Sequence, residues 1–269
     1  MNAIYLSKEL SKKEIDRLNK KIKKRYKNIE IMVISENLKK NKEFMKNIDL
    51  LNIPIVDGRW LFKLLVVQVI EYIAKCQEKK LNDLEIILMA NKYNDLVCNY
   101  IIRLIKIVKS LKVVSNDKVR YGKIEKQLFE EDGSILIITN NRRKALKDAN
   151  IIINFDYDDE KINEFNINRN AIIVNLKSKV NINTKKFEGI NINFYEIYLK
   201  KRSIDIFEWL RGFNSVDIYE SYLYQNSNLS NIWNTIQNDK IRIKNLIGNN
   251  GIISRKEYIK TLDKNNKLA

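Results

Sequence analysis

The chain has 269 residues, a formal charge of +17, two cysteines and no histidine. With 45% hydrophobic and 31% charged residues, it has the balance of a globular protein that can bury a real core in one large domain or two ordinary ones. The missing histidine excludes Ser-His-Asp and Cys-His catalysis, histidine general bases and most zinc sites, leaving Asp, Glu, Lys, Tyr or a bound cofactor to carry any chemistry.

The most apolar stretch, residues 64–70, is interrupted by Gln68 and soon followed by Glu71, too short to span a bilayer. The opening residues 1–6 read as a strand and not as a signal peptide, so a cytoplasmic location and no membrane are expected. Cys76 and Cys98 lie within apolar periodic segments and read as small buried hydrophobes. The basic charge has two readings. One is a polyanion partner such as nucleic acid. The other is coding bias, because Lys, Asn, Ile and Tyr are abundant together, and lysines are spread along the chain and far outnumber arginines.

In chain order, residues 3–7 form a short strand, and Ser11 caps a helix whose Ile15, Leu18 and Ile22 recur at helical spacing with Lys and Arg on its other faces. Residues 29–35 suit a buried strand, residues 38–47 a polar helix and residues 53–56 a third strand. Asp57-Gly58 ends it, and Arg59 begins a long helix to about residue 78 whose apolar residues cover most of its girth. Residues 79–83 are the best boundary.

From residue 84 strands alternate with helices: strands at 85–90, 112–115, 134–139, 150–155 and 171–175, a possible sixth at 191–197, and helices at 95–109, 118–131 and 141–147. Alternation at these lengths requires crossovers, hence a doubly wound parallel sheet. After residue 200, helices are expected at 204–212, 216–225 and 229–242, packing back on a lobe or mediating self-association as a homo-oligomer. The string 248–257 has the spacing of the end of an EF-hand loop, but Leu246 and Gly248 stand where acidic ligands belong, so it reads as a glycine turn between helices. The expected fold class is α/β: a small α/β lobe with a connecting helix (1–80), a Rossmann-like domain (81–199) and a helical C-terminal region (200–269).

In such a sheet the ligand crevice lies beyond the carboxyl ends of the strands. Those ends carry Asn91, Lys92, Tyr93, Asn94 and Asp95; Asn116 and Asp117; Arg142 and Arg143; and Asp156, Tyr157, Asp158 and Asp159. The run 133–154, GSILIITNNRRKALKDANIIIN, resembles the later half of an NAD(P)-binding Rossmann domain, and NAIIVN at 170–175 resembles its next strand. The order of small lobe, long helix and such a domain is similar to the layout of shikimate dehydrogenases and glutamyl-tRNA reductases. The resemblance implies an NAD(P) site with Asn91, Lys92, Tyr93 and Asn94 at the first turn and Asp117 where the family's ribose-binding acid stands. It also puts Asp156 among the cofactor contacts.

The departure is the first turn. The family carries Gly-x-Gly-x-x-Gly there because backbone must approach a diphosphate closely. Residues 90–95, Ala-Asn-Lys-Tyr-Asn-Asp, have no glycine, and Asp95 in the first helical turn repels phosphate. Asp117 also reads as a helix cap, Arg142 and Arg143 as a solvated helix face or a phosphate contact, and Asp156, Asp158, Asp159 and Glu160 as a solvated loop or a divalent-ion site. Catalytic residues of the resembled enzymes are not found. Asp57 reads as the cap and Trp60 as the core anchor of their helix, with Arg59 alternatively facing a carboxylate. Three functions are therefore weighed: a Rossmann-like relative of two-lobed dehydrogenases with an altered or lost cofactor site, a binding or scaffold protein holding a protein or nucleic acid, and a sensor taking a small molecule or nucleotide between the lobes.

Overall fold

The structure is a computed structural model describing residues 11–25, 31–183, 187–199, 212–224 and 229–266. The strand expected at 3–7 lies outside these residues, as does all but the last residue of the helix expected at 204–212. The chain divides into two compact units, one of residues 1–61 and 197–242, the other of residues 62–196 and 243–269.

In the first unit Ser11 opens α1 (Lys12–Arg25). Its N–H and hydroxyl both donate to the Glu14 carboxylate, at 2.9 and 2.7 Å. Ile15, Leu18 and Ile22 form the buried stripe that their spacing dictates, packed with Ile34, Leu38, Phe44 and Ile48. Leu38 belongs to α2 (Glu36–Lys39), Phe44 and Ile48 to α3 (Lys42–Asp49). The sequence reads one helix there; the structure has two, because Asn41 leaves the helix and caps α3, accepting the Phe44 N–H at 2.9 Å. The two strands expected on either side reduce, among the described residues, to one parallel bridge, Met32–Ile55. Pro54 has no N–H with which to extend it. The long helix expected from Arg59 is likewise two, α4 (Arg59–Leu64), within which the division between the units falls, and α5 (Val66–Cys76) of the second unit, interrupted at Leu65.

The second unit is the regular one. After α5 come β1 (Glu85–Met89), α6 (Asp95–Ile105), β2 (Ser110–Val114), α7 (Lys118–Asp132), β3 (Leu136–Thr139), α8 (Arg142–Lys147), β4 (Ile151–Asn154), α9 (Asp159–Glu164), β5 (Ile172–Asn175), β6 (Ile190–Ile192) and β7 (Phe194–Tyr198). Six strands pair in parallel in the order β3-β2-β1-β4-β5-β6, a Rossmann-like α/β sheet with the strand order of dinucleotide-binding domains. Strands β4 and β5 are buried at every position, which is why they read as unbroken Ile/Val runs and not as alternating ones. The sixth strand, expected as one, breaks at Asn193 into β6 and β7: the Asn193 N–H turns away from β5 and donates to Ile247 O at 2.8 Å.

The remaining elements are α10 (Ser215–Leu223), α11 (Leu229–Asn238), β8 (Arg242–Gly248), β9 (Gly251–Ile252) and α12 (Arg255–Asn266). Here the helical reading of the tail needs an addition. Residues 248–252 close an antiparallel hairpin in which Gly248 faces Gly251 and Asn249-Asn250 form a two-residue loop, the pattern of a tight β-turn. No helix of the described residues is long and apolar enough to cross a membrane.

Helix α10, in the first unit, buries two carboxylates within one turn. Asp217 pairs with the Lys39 ammonium, and Glu220 accepts the Leu61 N–H at 2.6 Å. Burial pushes Asp217 up to about 6 against the pull of Lys39, and Glu220 up to about 7 against its backbone hydrogen bonds.

Candidate functional site

The chain runs outward through β1, β2 and β3 and then returns to place β4 on the other side of β1, so the switch point lies between β1 and β4. Their carboxyl ends are in register, Met89 opposite Asn154, and the Phe155 N–H donates to Met89 O at 3.0 Å. That places the turn after β1 beside the loop after β4.

In a dinucleotide-binding domain the backbone N–H groups of the first turn receive the diphosphate. Here they receive Asp156. The Asn91 N–H donates to Asp156 Oδ1 at 2.9 Å and the Lys92 N–H to Oδ2 at 2.7 Å. One carboxylate thus bridges two successive amides in the manner of an anion bound from solution. The start of α6 is satisfied as well: the Asn94 side chain accepts the Val97 N–H at 3.0 Å, and Asp95 adds negative charge to the first turn.

The other strand ends close around this contact. Asn116, after β2, donates to Asn91 Oδ1 at 3.3 Å and accepts from Arg142, after β3, at 2.8 Å; Arg142 also reaches the Tyr157 hydroxyl at 3.3 Å. The guanidinium lies 5.6 Å from the Tyr157 ring and 5.5 Å from Phe165. Tyr121 donates its hydroxyl to Lys92 O at 3.2 Å, and Tyr93 leans on the Tyr121 ring at 5.4 Å with the Arg120 guanidinium over its outer side. Burial raises the phenol pKa of both Tyr121 and Tyr157, with Arg142 drawing the latter part of the way back, so both hydroxyls remain hydrogen-bond donors.

All six candidate cofactor contacts therefore sit at the strand tips. Asn91, Lys92 and Asp156 are brought together, Tyr93 flanks them, and Asn94 and Asp117 serve as helix caps. Asp117 caps α7, accepting the Arg120 N–H at 3.2 Å. The acidic loop after β4 is dispersed among separate partners: Asp158 caps α9 and Asp159 accepts the Asn181 N–H at 2.6 Å. Among the described residues no three His, Cys, Asp or Glu side chains gather in a way that could hold a metal ion. Among the described residues, two grooves of about 460 and 480 Å³ lie to the side of the switch point, one along Arg142, Arg143, Phe165 and Asn166 and one along Asn163, Arg169, Asn181 and Phe187.

Sequence reasoning missed an amide network beneath the site. Asn154 holds the turn after its own strand, accepting the Tyr157 N–H and donating to Tyr157 O, both at 3.0 Å. It also donates to Asn175 Oδ1 at 3.0 Å, and Asn175 continues to Asn191 and Asn193. The available signal was an asparagine closing each of the apolar runs IIIN, IIVN and ININ.

Around the buried stripe of α1, Lys12, Lys13, Arg17, Lys20, Lys21, Lys23 and Lys24 are all exposed, with Asp16 the only exposed acid on that helix among the residues whose burial is described. No family model matches this sequence, and no curated protein and no solved structure matches it either.

The residues at the first turn do not fit the diphosphate of NAD(P). Its two amides already hold a carboxylate, side chains stand where glycines give backbone access, and Asp95 opposes an incoming phosphate.

Proposed function

We propose that the chain is a Rossmann-like binding protein, architecturally akin to two-lobed dehydrogenases, in which the NAD(P) site has been lost to an internal carboxylate. The reading rests on one observation, the Asp156 carboxylate bridging the Asn91 and Lys92 N–H groups. A carboxylate tethered in the same fold meets no translational cost of association, whereas a dinucleotide does, so the internal anion holds the cradle. Thermal unfolding with NAD, NADP and ADP tests this. The wild type is expected to show no saturable rise in melting temperature with any of them. Asp156→Ala, which vacates the two amides, is expected to gain weak stabilisation by ADP. A saturable rise in the wild type with NAD or NADP overturns the reading.

A second reading, that the partner is nucleic acid, is favoured by the basic face of α1. Such binding is driven by counterion release and weakens steeply with salt. Fluorescence anisotropy with labelled DNA and RNA at low salt is expected to show binding that a Lys20→Gln, Lys21→Gln, Lys23→Gln, Lys24→Gln variant loses. Equal binding by that variant removes α1 from the account.

A further inference from the structure

Helix α7 buries Tyr121, Ile124 and Leu128 and packs against β3, one of the two edge strands of the six-stranded sheet. Its opposite side carries Val119, Gly122, Lys126 and Phe129, spaced i, i+3, i+7, i+10, the spacing of a helix–helix seam. Val119 is 77% and Phe129 64% exposed, near the two ends of this stripe. Sharing one stripe of a helix, the two can be covered together by a single partner.

Gly122 is the second observation. It lies in the helix interior, where glycine costs about 1 kcal/mol against alanine. A Cβ built there meets nothing within 4 Å, so no neighbour in this chain requires the missing side chain. The bare backbone there is open to a group arriving from outside.

The charges indicate what arrives. The first turns of α7 carry Lys118, Arg120 and Lys123, and its last turn carries Glu130, Glu131 and Asp132. This polarity is opposite to the one the helix dipole favours. A second α7 lying antiparallel reverses the arrangement, bringing the basic end of each helix beside the acidic end of the other.

We infer that α7 is the core of a homodimer interface, in which a second copy of this chain packs antiparallel across a two-fold axis. With the axis at the level of Ile124, Val119 of each copy meets Phe129 of the other, and the Lys126 stem of each lies over the open backbone at Gly122 of the other. Lys118 and Glu125 share one flank of the seam, seven residues apart, and Lys123 and Glu130 share the other. An antiparallel pair therefore sets Lys118 against Glu125 and Lys123 against Glu130, twice each. The set is self-complementary, as an isologous contact requires.

Sedimentation velocity over a range of protein concentrations tests this, with circular dichroism confirming that each variant is folded. The wild type is expected to dimerise. Phe129→Glu, at an exposed position, is expected to raise the dissociation constant at least tenfold. Lys123→Glu and Glu130→Lys each bring like charges together and weaken the dimer. The double variant Lys123→Glu, Glu130→Lys restores opposite charges and recovers most of the loss. A monomeric wild type at the highest soluble concentration overturns the inference. So does a dimer indifferent to Phe129→Glu, or a double variant no better than its parents.

Discussion

Glu220 Oε2 lies 2.6 Å from the backbone nitrogen of Leu61, and the residue that provides this carboxylate is 1% exposed. The acid sits at the start of α4, where the dipole and free N–H groups of a helix end welcome negative charge, yet burial prevails and holds its pKa up near 7. Asp217, on the same face of α10, is raised in the same direction, and Asp57 adds further negative charge nearby. A carboxyl whose folded pKa exceeds its unfolded value binds more protons when folded. Its stabilising effect is complete below the unfolded value and is lost as pH rises through the folded one. For Glu220 the window runs from 4.5 to about 7. Glu220→Gln, which keeps an acceptor for the Leu61 N–H and does not ionise, is expected to match the wild type at pH 5 and to exceed it at pH 8 by up to about 3 kcal/mol. Urea unfolding at the two pH values measures the difference; equal gaps at both show that the carboxyl is not titrating in the window.

Lys39 is the cation of the same cluster. Burial by itself lowers its pKa, but the hydrogen bonds to Asp217 and Glu36 outweigh that and raise it, so the ammonium is held charged. Asp217 Oδ1 has no hydrogen-bond partner among the described residues, which leaves Lys39 as the main compensation for this carboxylate. Lys39→Met is therefore expected to cost about 3 kcal/mol at pH 8, the lower end for a broken buried pair because the Lys39 side chain is a quarter exposed. Adding Asp217→Asn should return much of that loss. A double variant as unstable as Lys39→Met would place the effect in lost packing of the lysine stem.

Much of the second unit was legible because local and global signals agree there. Unbroken runs such as EIILM and IIIN have the length and composition of buried parallel strands, and DG at 132–133 marks the end of α7. The glycine-free turn after β1 announced an altered site. That Asp156 would fill it was not legible, because the contact spans 64 residues and depends on β4 returning beside β1. In the first unit the strand signals at 29–35 and 53–56 were sound as propensity. Among the described residues, pairing was limited by Pro54. The hairpin at 248–252 was obscured by reading GNNG as a break between helices, although the alternation in RIKNLIG before it is that of a strand.

Asn175 is the centre of the amide network under the strand tips. Its Nδ2 donates to Asn191 Oδ1 at 2.7 Å and to Ile192 O at 3.1 Å, while its Oδ1 accepts from Asn154. The residue has no exposure, so truncation leaves several groups unpaired without room for easy solvation. Asn175→Ala is expected to cost roughly 2–4 kcal/mol, beyond what the lost contact area alone would give. Denaturant unfolding checks the magnitude. Since Asn154 also holds Tyr157, the same variant should increase amide hydrogen exchange in the loop after β4, and unchanged exchange there would show that the loop is held independently.

Two glycines of α7 separate backbone strain from empty space. Gly133 ends the helix at φ +71°, while Gly122 lies inside it, and at neither does an added Cβ meet an atom within 4 Å. Sterics being equal, only conformation distinguishes them. Gly133→Ala forces a left-handed L-residue and is expected to destabilise by about 1 kcal/mol. Gly122→Ala removes a flexible residue from a helix and is expected to stabilise the protomer by about as much. The two-fold packing of α7 adds a second, opposed consequence at Gly122: the new methyl occupies the space into which the Lys126 stem of the other copy fits. Gly122→Ala should therefore raise the melting temperature in dilute solution while increasing the dissociation constant of the dimer. Gly133→Ala should lower the melting temperature and leave association unchanged in the folded fraction. If Gly122→Ala stabilises the protomer and association is unaltered, the glycine is a helix defect without a partner.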